Sequence, residues 1–254
     1  MRDDQDIKDS ERDHFDHLAE TTGEVWWGGN TKAGIERFKR RARLIARELK
    51  RYNDPVVVEI GCGTGAVSSL LLNEMPELRL IGGDISPKCV ELANERYKDY
   101  KNAKFQVFDA TNSGMEDNSI DAVIGNAVLH HIPLEDTLRE SFRILKPGGL
   151  FWFAEPNMMN PQVLVQKNVP WIKKLLQDSP DEIAFFRWAL KKNLEAAGFE
   201  KVFVVPFDFL HPITPSFMID PIDALGRMIE KIPVLREIAG SLLIKGHKPK
   251  ASTD

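Results

Sequence analysis

Hydrophobic and polar residues follow one another along this chain in an order that predicts alternating strands and helices. Between residues 55 and 157, short apolar runs end in polar or glycine residues, and stretches with helical spacing of their apolar positions follow. Such runs are typical of strands that are buried on both faces of a parallel sheet. The predicted strands are 56–60, 78–82, 104–108, 120–125, 150–154, 201–206 and 241–246. The pattern therefore predicts an α/β domain with a doubly wound sheet.

Helical periodicity and capping residues mark the connections between these strands. Ser86 followed by Pro87 has the composition of an N-cap and a first helical position, so a helix is predicted from there to about Tyr97. The other predicted helices are 31–52, 66–72, 134–145, 180–197 and 221–235, and residues 146–149 are expected to form a turn. Residues 1–14 are highly charged and are either a frayed tail or the start of a helix.

Two long connections interrupt the alternation. Residues 158–179 are apolar but irregular, and residues 207–240 separate the last two strands by far more than the ~2–5 residues of a hairpin loop. Long connections of this kind usually carry function or cover a site. We therefore expect an N-terminal helical cap over residues 1–52, a main domain over residues 53–254, and lid segments at 157–180 and 207–240.

The most informative stretch is Pro55–Ala66, in which an apolar strand leads into glycines at every second position, Gly61, Gly63 and Gly65. Glycine lets the chain turn tightly and lets a ligand lie against the backbone. The helix that follows presents free N–H groups at its N-terminus, which favours a nucleotide-type ligand. Gly61, Gly63 and Ala66 also satisfy the G-x-G-x-x-A dinucleotide fingerprint, but a single match of this kind is weak.

Glu59 lies inside the apolar run, where an ionised carboxylate costs free energy unless it is hydrogen-bonded. We expect it either to accept hydrogen bonds from N–H groups of the glycine loop or to lie at a hydrated strand end. Together with Gly65, Glu59 distinguishes this loop from the dinucleotide fingerprint. Strand and loop resemble motif I of the class I S-adenosylmethionine-dependent methyltransferases, which reads hydrophobic, Glu or Asp, hydrophobic, then Gly-x-Gly-x-Gly.

Polar residues end the following strands at the same edge of the predicted sheet. Asp84, 19 residues after Gly65, is placed to accept hydrogen bonds from both hydroxyls of a ribose, or else to cap the next helix. Asp109 is expected to accept from an adenine amine, with Ala110 offering its backbone N–H. Asn126 ends the fourth strand, closest to where a methionyl chain and its sulfonium would lie.

The resemblance to class I methyltransferases extends over Pro55–Asn157. It covers the glycine loop, Asp84, Asp109, residues 121–131 and the Leu-Lys-Pro-Gly-Gly segment at 145–149. Residues 126–131 resemble the type 11 small-molecule branch, which is similar to quinone and sterol C-methyltransferases. The resemblance implies a Rossmann-like, doubly wound sheet of seven strands whose last strand is antiparallel. It also implies S-adenosyl-L-methionine as the cofactor and S-adenosyl-L-homocysteine as the product.

The resemblance also assigns cofactor contacts to this chain. It implies that the glycine loop contacts the methionyl group, that Asp84 binds the ribose and that Asp109 lies at the adenine. It also implies that Trp27 is the aromatic residue above the methionyl end. The expected cofactor-binding residues are Trp27, Glu59, Gly61, Cys62, Gly63, Gly65, Asp84, Ile85, Asp109, Ala110, Asn126 and Ala127. Cys62 is expected to be a small filler in the loop rather than a nucleophile.

Methyl transfer from a sulfonium mainly requires that a nucleophile be aligned and water excluded, because positioning alone supplies effective molarities of roughly 10⁵–10⁸ M. A base is needed only where the acceptor must lose a proton. His131 and His130 are the catalytic candidates, with packing or capping as their alternative role, and Glu155 and His211 are further candidate bases. Neighbouring residues on a helix point about 100° apart, so the two histidines are not expected to share a metal ion, and no metal is predicted.

The predicted lid segments are rich in Phe, Met, Trp, Ile and Pro, which favours a small, partly apolar methyl acceptor. Ala127 and Val128 follow Asn126 where methyltransferases of flipped bases carry prolines and an aromatic residue, which argues against a nucleic-acid base as the substrate. The apolar stripe of the helix at 221–235 is compatible with peripheral contact to a membrane surface. The basic face of the helix at 31–52 is interpreted as solvated, with an anion or RNA contact as the alternative.

Composition and charge further restrict the kind of protein and the partners that the sequence allows. The chain has 254 residues, is 43% apolar and carries a net charge of −4, so its global field does not recruit nucleic acid. Its two cysteines are too few for a disulfide framework, and no apolar run reaches the ~18 residues of a membrane span. With no signal-peptide pattern, we expect a cytoplasmic enzyme that is a monomer or a homodimer. The alternatives are a nicotinamide-dependent oxidoreductase and a catalytically silent cofactor-binding partner protein.

Overall fold

The computed structural model describes residues 4–21, 28–169, 171 and 184–250. Trp27, which was expected above the methionyl end of the cofactor, lies outside these residues, as does most of the predicted lid segment beyond Val169. The strands are β1 (Val56–Ile60), β2 (Arg79–Asp84), β3 (Ala103–Val107), β4 (Ile120–Asn126), β5 (Leu145–Pro156), β6 (Glu200–Phe207) and β7 (Ser241–His247).

These strands form a seven-stranded sheet in the order β3-β2-β1-β4-β5-β7-β6. Neighbouring strands from β3 to β5 pair in parallel, whereas β7 pairs antiparallel with both β5 and β6. The order reverses between β1 and β4, and in an open α/β sheet ligands bind at this reversal, beyond the carboxyl ends of the strands. The predicted sheet with an antiparallel last strand is confirmed.

Helices cover both faces of the sheet. They are α1 (Asp4–Thr21), α2 (Lys32–Leu49), α3 (Ala66–Glu74), α4 (Pro87–Arg96), α5 (Leu134–Ile144), α6 (Pro161–Asn168), α7 (Arg187–Ala196) and α8 (Ile219–Ile229). The predicted start of α4 is confirmed, because the Ser86 side chain accepts a hydrogen bond from the Cys89 N–H and Pro87 is the first helical residue. Thr31 caps α2 in the same way through the Gly34 N–H.

At the N-terminus, the charged residues that were either a tail or a helix start belong to a helix, since α1 runs from Asp4 to Thr21. The turn expected at 146–149 is instead part of β5. The backbone there still pairs, because Leu145 is in register with Ile120 and the Gly148 N–H donates to the Lys248 carbonyl.

Two helices in the C-terminal third are shorter than predicted. The helix expected from residue 180 begins only at Arg187, because Phe185 pairs with Asn157 in a β-bridge instead. Residues 180–183 lie outside the described part of the chain. The helix expected at 221–235 occupies Ile219–Ile229, and a separate short 3₁₀ turn follows at Leu235–Ile238.

Alternate residues of the central strands enter two cores on opposite faces of the sheet. Val58 and Val123 belong to one core with residues of α5 and α7, whereas Val57 and Ile124 belong to the other with residues of α2 and α3. Strands buried on both faces explain the continuous apolar runs in the sequence. The rigid sheet therefore fixes the positions of the residues at its carboxyl edge.

The connection between β6 and β7 packs against α2. Ile219 of α8 belongs to a small apolar cluster with Leu210 and Ala33. The outward side of α8 is also apolar, since Leu225 and Met228 are 56% and 64% exposed. Among the helices that the structure describes, none combines the length and the apolar character that crossing a membrane requires.

Candidate active site

Every strand of the sheet brings a polar residue or a glycine to the same edge. In the order from β3 to β6, these residues are Asp109, Asp84, Gly61, Asn126, Glu155, Ser241 and Asp208. All seven line a cleft of about 880 Å³. Residues of α1, α2, α6 and the segment 208–213 complete its lining. This size is at the upper end of small-molecule sites, which leaves room for a nucleoside and a second small molecule side by side.

The glycine loop lines this cleft with Gly61 and Gly63. Gly61, Gly63 and Gly65 have φ angles of +65°, +51° and +82°, a left-handed conformation that favours glycine. A Cβ on Gly61 would lie 2.3 Å from a methyl of Val128, so no side chain fits there. Gly65 precedes α3 directly, so the loop ends at a helix N-terminus as predicted.

Asp84 holds the loop in place. Its Oδ2 accepts a hydrogen bond from the Gly63 N–H at 2.8 Å, and its Oδ1 accepts one from the Ser86 N–H at 2.9 Å. Burial raises the pKa of Asp84, although these backbone hydrogen bonds oppose the shift. Each carboxylate oxygen has a second lone pair, so the group retains capacity to accept from a ligand.

Glu59 does not contact the loop as expected. It is 2% exposed, and its Oε2 accepts a hydrogen bond from the Ser68 hydroxyl of α3. Burial raises the pKa of Glu59 to about 7, and the nearby charge of Asp84 adds to the shift. The expectation that Glu59 binds loop N–H groups is therefore wrong, because Asp84 accepts the Gly63 N–H that Glu59 was expected to take.

The smaller expected contacts lie on the same wall. Cys62, Ile85, Ala110 and Ala127 all line the cleft. Cys62 is 5% exposed, and burial raises the pKa of its thiol, so this side chain is neutral and inert. Ala127 has a φ of +54°, and its N–H donates to the Ala154 carbonyl at 2.8 Å. This bend after β4 turns the following residues across the end of the sheet.

Helix α1 crosses the β2–β3 end of the cleft. Lys8 donates to Asp109 Oδ2 at 2.6 Å, and the N–H of Thr111 donates to Asp109 Oδ1 at 2.8 Å. Burial alone would raise the pKa of Asp109, but these hydrogen bonds outweigh it and lower the pKa. Asp16 of α1 accepts hydrogen bonds from the Ser86 hydroxyl and the Lys88 N–H, at 2.5 and 3.1 Å. A carboxylate at a helix N-terminus is favourable, so Asp16 holds α1 onto α4.

The two candidate histidines lie beside Glu155 at the end of β5. Glu155 Oε1 accepts from the N–H groups of Val128 and Leu129, both at 2.9 Å, and Oε2 lies 2.6 Å from His130 Nδ1. His131 Nδ1 lies 3.0 Å from a carboxylate oxygen of Glu11 in α1, and the two imidazole rings are 4.1 Å apart. Both histidines line the cleft, and each has a carboxylate that can orient its ring.

The far end of the cleft contains residues that the sequence analysis did not single out. Arg41, which was grouped with a solvated basic face, is only 4% exposed. It donates to Asn126 Oδ1, to Asp208 Oδ2 at 3.3 Å and to the Ser241 hydroxyl at 3.0 Å. Arg37, one helical turn earlier, donates to the same carboxylate oxygen of Asp208 at 2.9 Å.

The outer wall of this end comes from the two predicted lid segments. Gln162 of α6 lies 2.7 Å from His211 through their side-chain nitrogens, which joins the segments over the cleft. Burial and the charge of Arg37 lower the pKa of His211. The apolar residues that line this half include Phe38, Val163, Leu210, Pro212 and Ile213. Within the described ranges, no group of three or more His, Cys, Asp or Glu side chains is placed to hold a metal ion.

Comparison with known proteins gives four concordant likenesses. Residues 58–153 match the family described as a methyltransferase domain. The 2-methyl-6-phytyl-1,4-hydroquinone methyltransferase of Synechocystis sp. is 29% identical over 170 residues, which are 64% of this chain and 52% of that protein. The demethylmenaquinone methyltransferase of Chlorobaculum tepidum is 27% identical over 221 residues, which are 80% of this chain and 89% of that protein. The crystal structure of a SAM-dependent methyltransferase from Thermotoga maritima has the same fold, with a TM-score of 0.66 and 19% identity over 93% of this chain and 99% of that one.

Proposed function

We propose that this chain, which belongs to the class I S-adenosylmethionine-dependent methyltransferases, transfers the methyl group of its cofactor to a small, partly apolar molecule. The observation that carries the proposal is the cleft along the sheet edge. Its β3–β4 side offers the glycine loop and Asp84, and its β5–β6 side has apolar walls and a different set of polar groups. The two sides suit two different ligands that meet near Asn126.

The residues on the β3–β4 side fit S-adenosyl-L-methionine. Gly61 and Gly63 line this side of the cleft, where the methionyl chain would lie, and the half-buried Asp84 carboxylate has lone pairs left for the ribose hydroxyls. Asp109 would face the adenine, where it would share its oxygens between Lys8 and the ligand. When bound, the cofactor supplies an electrophilic methyl group on a positively charged sulfur. The task of the protein is then to align the acceptor and exclude water.

The acceptor that we favour is a quinol-type aromatic molecule. Two relatives carry names that describe methyl transfer to a hydroquinone and to demethylmenaquinone. The apolar residues of the β5–β6 side would pack against an aromatic ring and an apolar substituent, and Ser241 and Arg41 offer polar contacts to its oxygens. In this proposal, residues 1–52 form the cap over the cofactor, and segments 157–180 and 207–240 form the lid over the acceptor.

For an acceptor that must lose a proton, His130 and His131 are the bases that the geometry favours. His130 is 5% exposed and lies 2.6 Å from Glu155, a carboxylate that would stabilise the imidazolium formed when the ring takes a proton. His131 Nδ1 lies 3.0 Å from a carboxylate oxygen of Glu11 in α1, whose charge would also favour an imidazolium. Glu155 itself is less suited to take the proton, because two backbone N–H groups and His130 already bind its oxygens.

A turnover assay tests the proposed function. The purified chain is incubated anaerobically with S-adenosyl-L-methionine carrying a labelled methyl group and with naphthalene-1,4-diol, a quinol without a prenyl tail. We expect a labelled product and an equal amount of S-adenosyl-L-homocysteine. Binding of the cofactor without turnover on any acceptor of a quinol, phenol and amine panel would instead support the silent partner protein. Calorimetric binding of NAD but not of S-adenosyl-L-methionine would support the oxidoreductase.

Variants of the histidines test the assignment of the base. We expect His130→Ala or His131→Ala to lower turnover by about 10²–10⁴-fold, the range of general-base catalysis, while cofactor affinity stays unchanged. His247→Ala is the matched control, since His247 ends β7 at the opposite edge of the sheet. If both cleft variants keep wild-type turnover, neither histidine is the base. If both lose cofactor affinity, their role is structural.

A further inference from the structure

The β5–β6 side of the cleft has a buried cluster of charges that cofactor binding does not explain. We call Arg37, Arg41, Asp208 and Ser241 the arginine cluster. Both guanidinium groups donate to one oxygen of Asp208, at 2.9 Å from Arg37 and 3.3 Å from Arg41. Both also donate to the Ser241 hydroxyl, at 3.3 and 3.0 Å. All four residues line the cleft.

The cluster holds more positive than negative charge. Two guanidinium groups share a single carboxylate, and burial together with the charge of Arg37 lowers the pKa of Arg41 to about 10. The same two arginines hold the pKa of Asp208 below its usual value in spite of burial. Glu155 also acts on Arg41, but its oxygens are occupied by His130 and two backbone N–H groups.

One donor of the cluster has no partner at all within the described structure. Arg41 Nε is buried, and no described residue accepts a hydrogen bond from it. Nε itself is closed off from solvent, so what an anion in the cleft would compensate is the buried, incompletely neutralised charge of Arg41, which lines the cleft. Guanidinium groups suit this task, because their planar donors match the oxygens of an acidic group.

The place of the cluster in the strand order indicates which ligand it meets. The proposed cofactor contacts lie on β3, β2, β1 and β4, whereas Ser241 begins β7 and Asp208 directly follows β6. Arg41 reaches back only as far as Asn126, at the end of β4. The cluster is therefore on the acceptor side of the point where the two ligands meet.

We infer that the arginine cluster binds an ionised oxygen of the methyl acceptor. The inference rests on the proposed function and adds the chemical class of the substrate to it. The acceptor is an amphipathic molecule with one acidic oxygen, a carboxylate, an enolate or a phenolate, next to an apolar body. The cluster holds the oxygen in its ionised form, and the apolar residues Phe38, Leu210 and Ile213 pack against the rest. An ionised oxygen conjugated to the reacting atom would also make that atom a better nucleophile.

Calorimetry with a matched pair of probes tests this assignment. The probes are 2-naphthoate, which is ionised at neutral pH, and 2-naphthamide, which has the same shape and no charge. Each is titrated into the wild-type chain saturated with S-adenosyl-L-homocysteine. We expect naphthoate to bind at least about tenfold more tightly than the amide, the size of one charge-assisted hydrogen bond. Equal affinities, or binding of neither probe, would overturn the inference.

Variants of the two arginines complete the test. We expect Arg37→Gln and Arg41→Gln each to lose this preference while the affinity for naphthamide stays the same. The side chain of Arg37 is 18% exposed, so Arg37→Gln is the variant to rely on if Arg41→Gln does not fold. Arg139→Gln, on an exposed arginine of α5 whose side chain is 76% exposed, is the matched control and should keep the preference.

Further titrations with cofactor analogues separate this inference from its alternatives. S-adenosyl-L-homocysteine is titrated first, because failure of that step contradicts the proposed function rather than the arginine cluster. The variants are then compared for S-adenosyl-L-methionine and 5′-methylthioadenosine, which lacks the methionyl carboxylate. If Arg41→Gln weakens binding of the first but not of the second, the cluster binds the cofactor carboxylate, and its assignment to the acceptor is wrong.

Discussion

Two carboxylates near the glycine loop, the half-buried Asp84 and the buried Glu59, differ in the groups that donate hydrogen bonds to them. Asp84 receives two backbone N–H groups, one from the loop and one from the start of α4. Glu59 accepts one hydrogen bond from the Ser68 hydroxyl, and burial raises the pKa of Glu59 from 4.5 to about 7. Backbone donors stabilise the ionised form more than one hydroxyl does, so Asp84 suits a ligand-binding role and Glu59 a structural one.

The raised pKa of Glu59 predicts a pH dependence of stability. Below pH 4.5 the carboxyl is protonated in both the folded and the unfolded chain, whereas between pH 4.5 and 7 only the folded chain keeps the proton. The free energy of unfolding therefore falls as the pH rises through this window, by about 3 kcal/mol from this group alone. Above pH 7 the contribution of this group is constant.

We expect Glu59→Gln to remove that fall, because an amide does not titrate. Denaturant unfolding of both proteins at several pH values between 4 and 8 measures the difference. The stability of the variant relative to the wild type should increase steadily between pH 4.5 and 7. A constant difference across this range would show that Glu59 does not titrate there.

At the scale of elements, α2 attaches the long segment between β6 and β7 to the rest of the molecule. Arg40 forms a bidentate pair with Glu230, at 2.8 and 2.6 Å, and Glu230 also accepts from the Asp208 N–H at 2.8 Å. Hydrogen bonds to Glu230 and the charges around it raise the pKa of Arg40, although burial opposes the shift. These contacts fix α8 and the segment that precedes it beside the β5–β6 side of the cleft.

We expect Arg40→Lys to loosen this attachment, because an ammonium does not reproduce two parallel hydrogen bonds. The variant should lose about 1–2 kcal/mol of stability. Hydrogen–deuterium exchange should become faster in Ile219–Ile229 and remain unchanged in β1. Arg139→Lys, which alters an exposed ion pair with Asp136, is the control and should change neither quantity. Unchanged exchange in α8 would show that the bidentate pair does not hold this helix.

The sequence predicted elements best where the signal is local. The apolar run before Gly61 and the cap at Ser86 each depend on residues next to one another, and both are found as predicted. The helix expected from residue 180 is shorter, because Phe185 pairs with Asn157 in a contact that helical spacing does not record. The tertiary pairing outweighs local helical propensity there.

Long-range pairing also explains why the burial of Arg41 was not predicted. In the sequence, Arg41 lies on a stripe of basic residues that is typical of a solvated helix face. Its partners Asp208 and Ser241 are distant in the sequence, and only the fold brings them next to it. The same holds for Lys8, whose partner Asp109 lies in another part of the sequence. The strand-end residues were easier to find, because a parallel sheet brings the ends of all its strands to one edge.

At the scale of the whole molecule, one sheet edge provides a continuous series of polar groups from Asp109 to Asp208. This series has a half from β3 to β4, with the glycine loop and Asp84, and a half from β5 to β6, with the arginine cluster and apolar walls. Helix α1 and the connection between β6 and β7 close the two halves separately. Under the proposed function, this division would let one cleft hold a cofactor and a chemically different acceptor side by side.

The central claim is that the β3–β4 half binds S-adenosyl-L-methionine through Asp84. Isothermal titration calorimetry of the cofactor with the wild-type chain, Asp84→Asn and the control Asp99→Asn, on an exposed residue away from the cleft, tests it most directly. We expect the wild type and Asp99→Asn to bind with equal affinity and Asp84→Asn to bind about tenfold or more weakly, because it loses a charged acceptor for the ribose hydroxyls. Absence of binding by the wild type, or equal affinity of all three proteins, would contradict the claim.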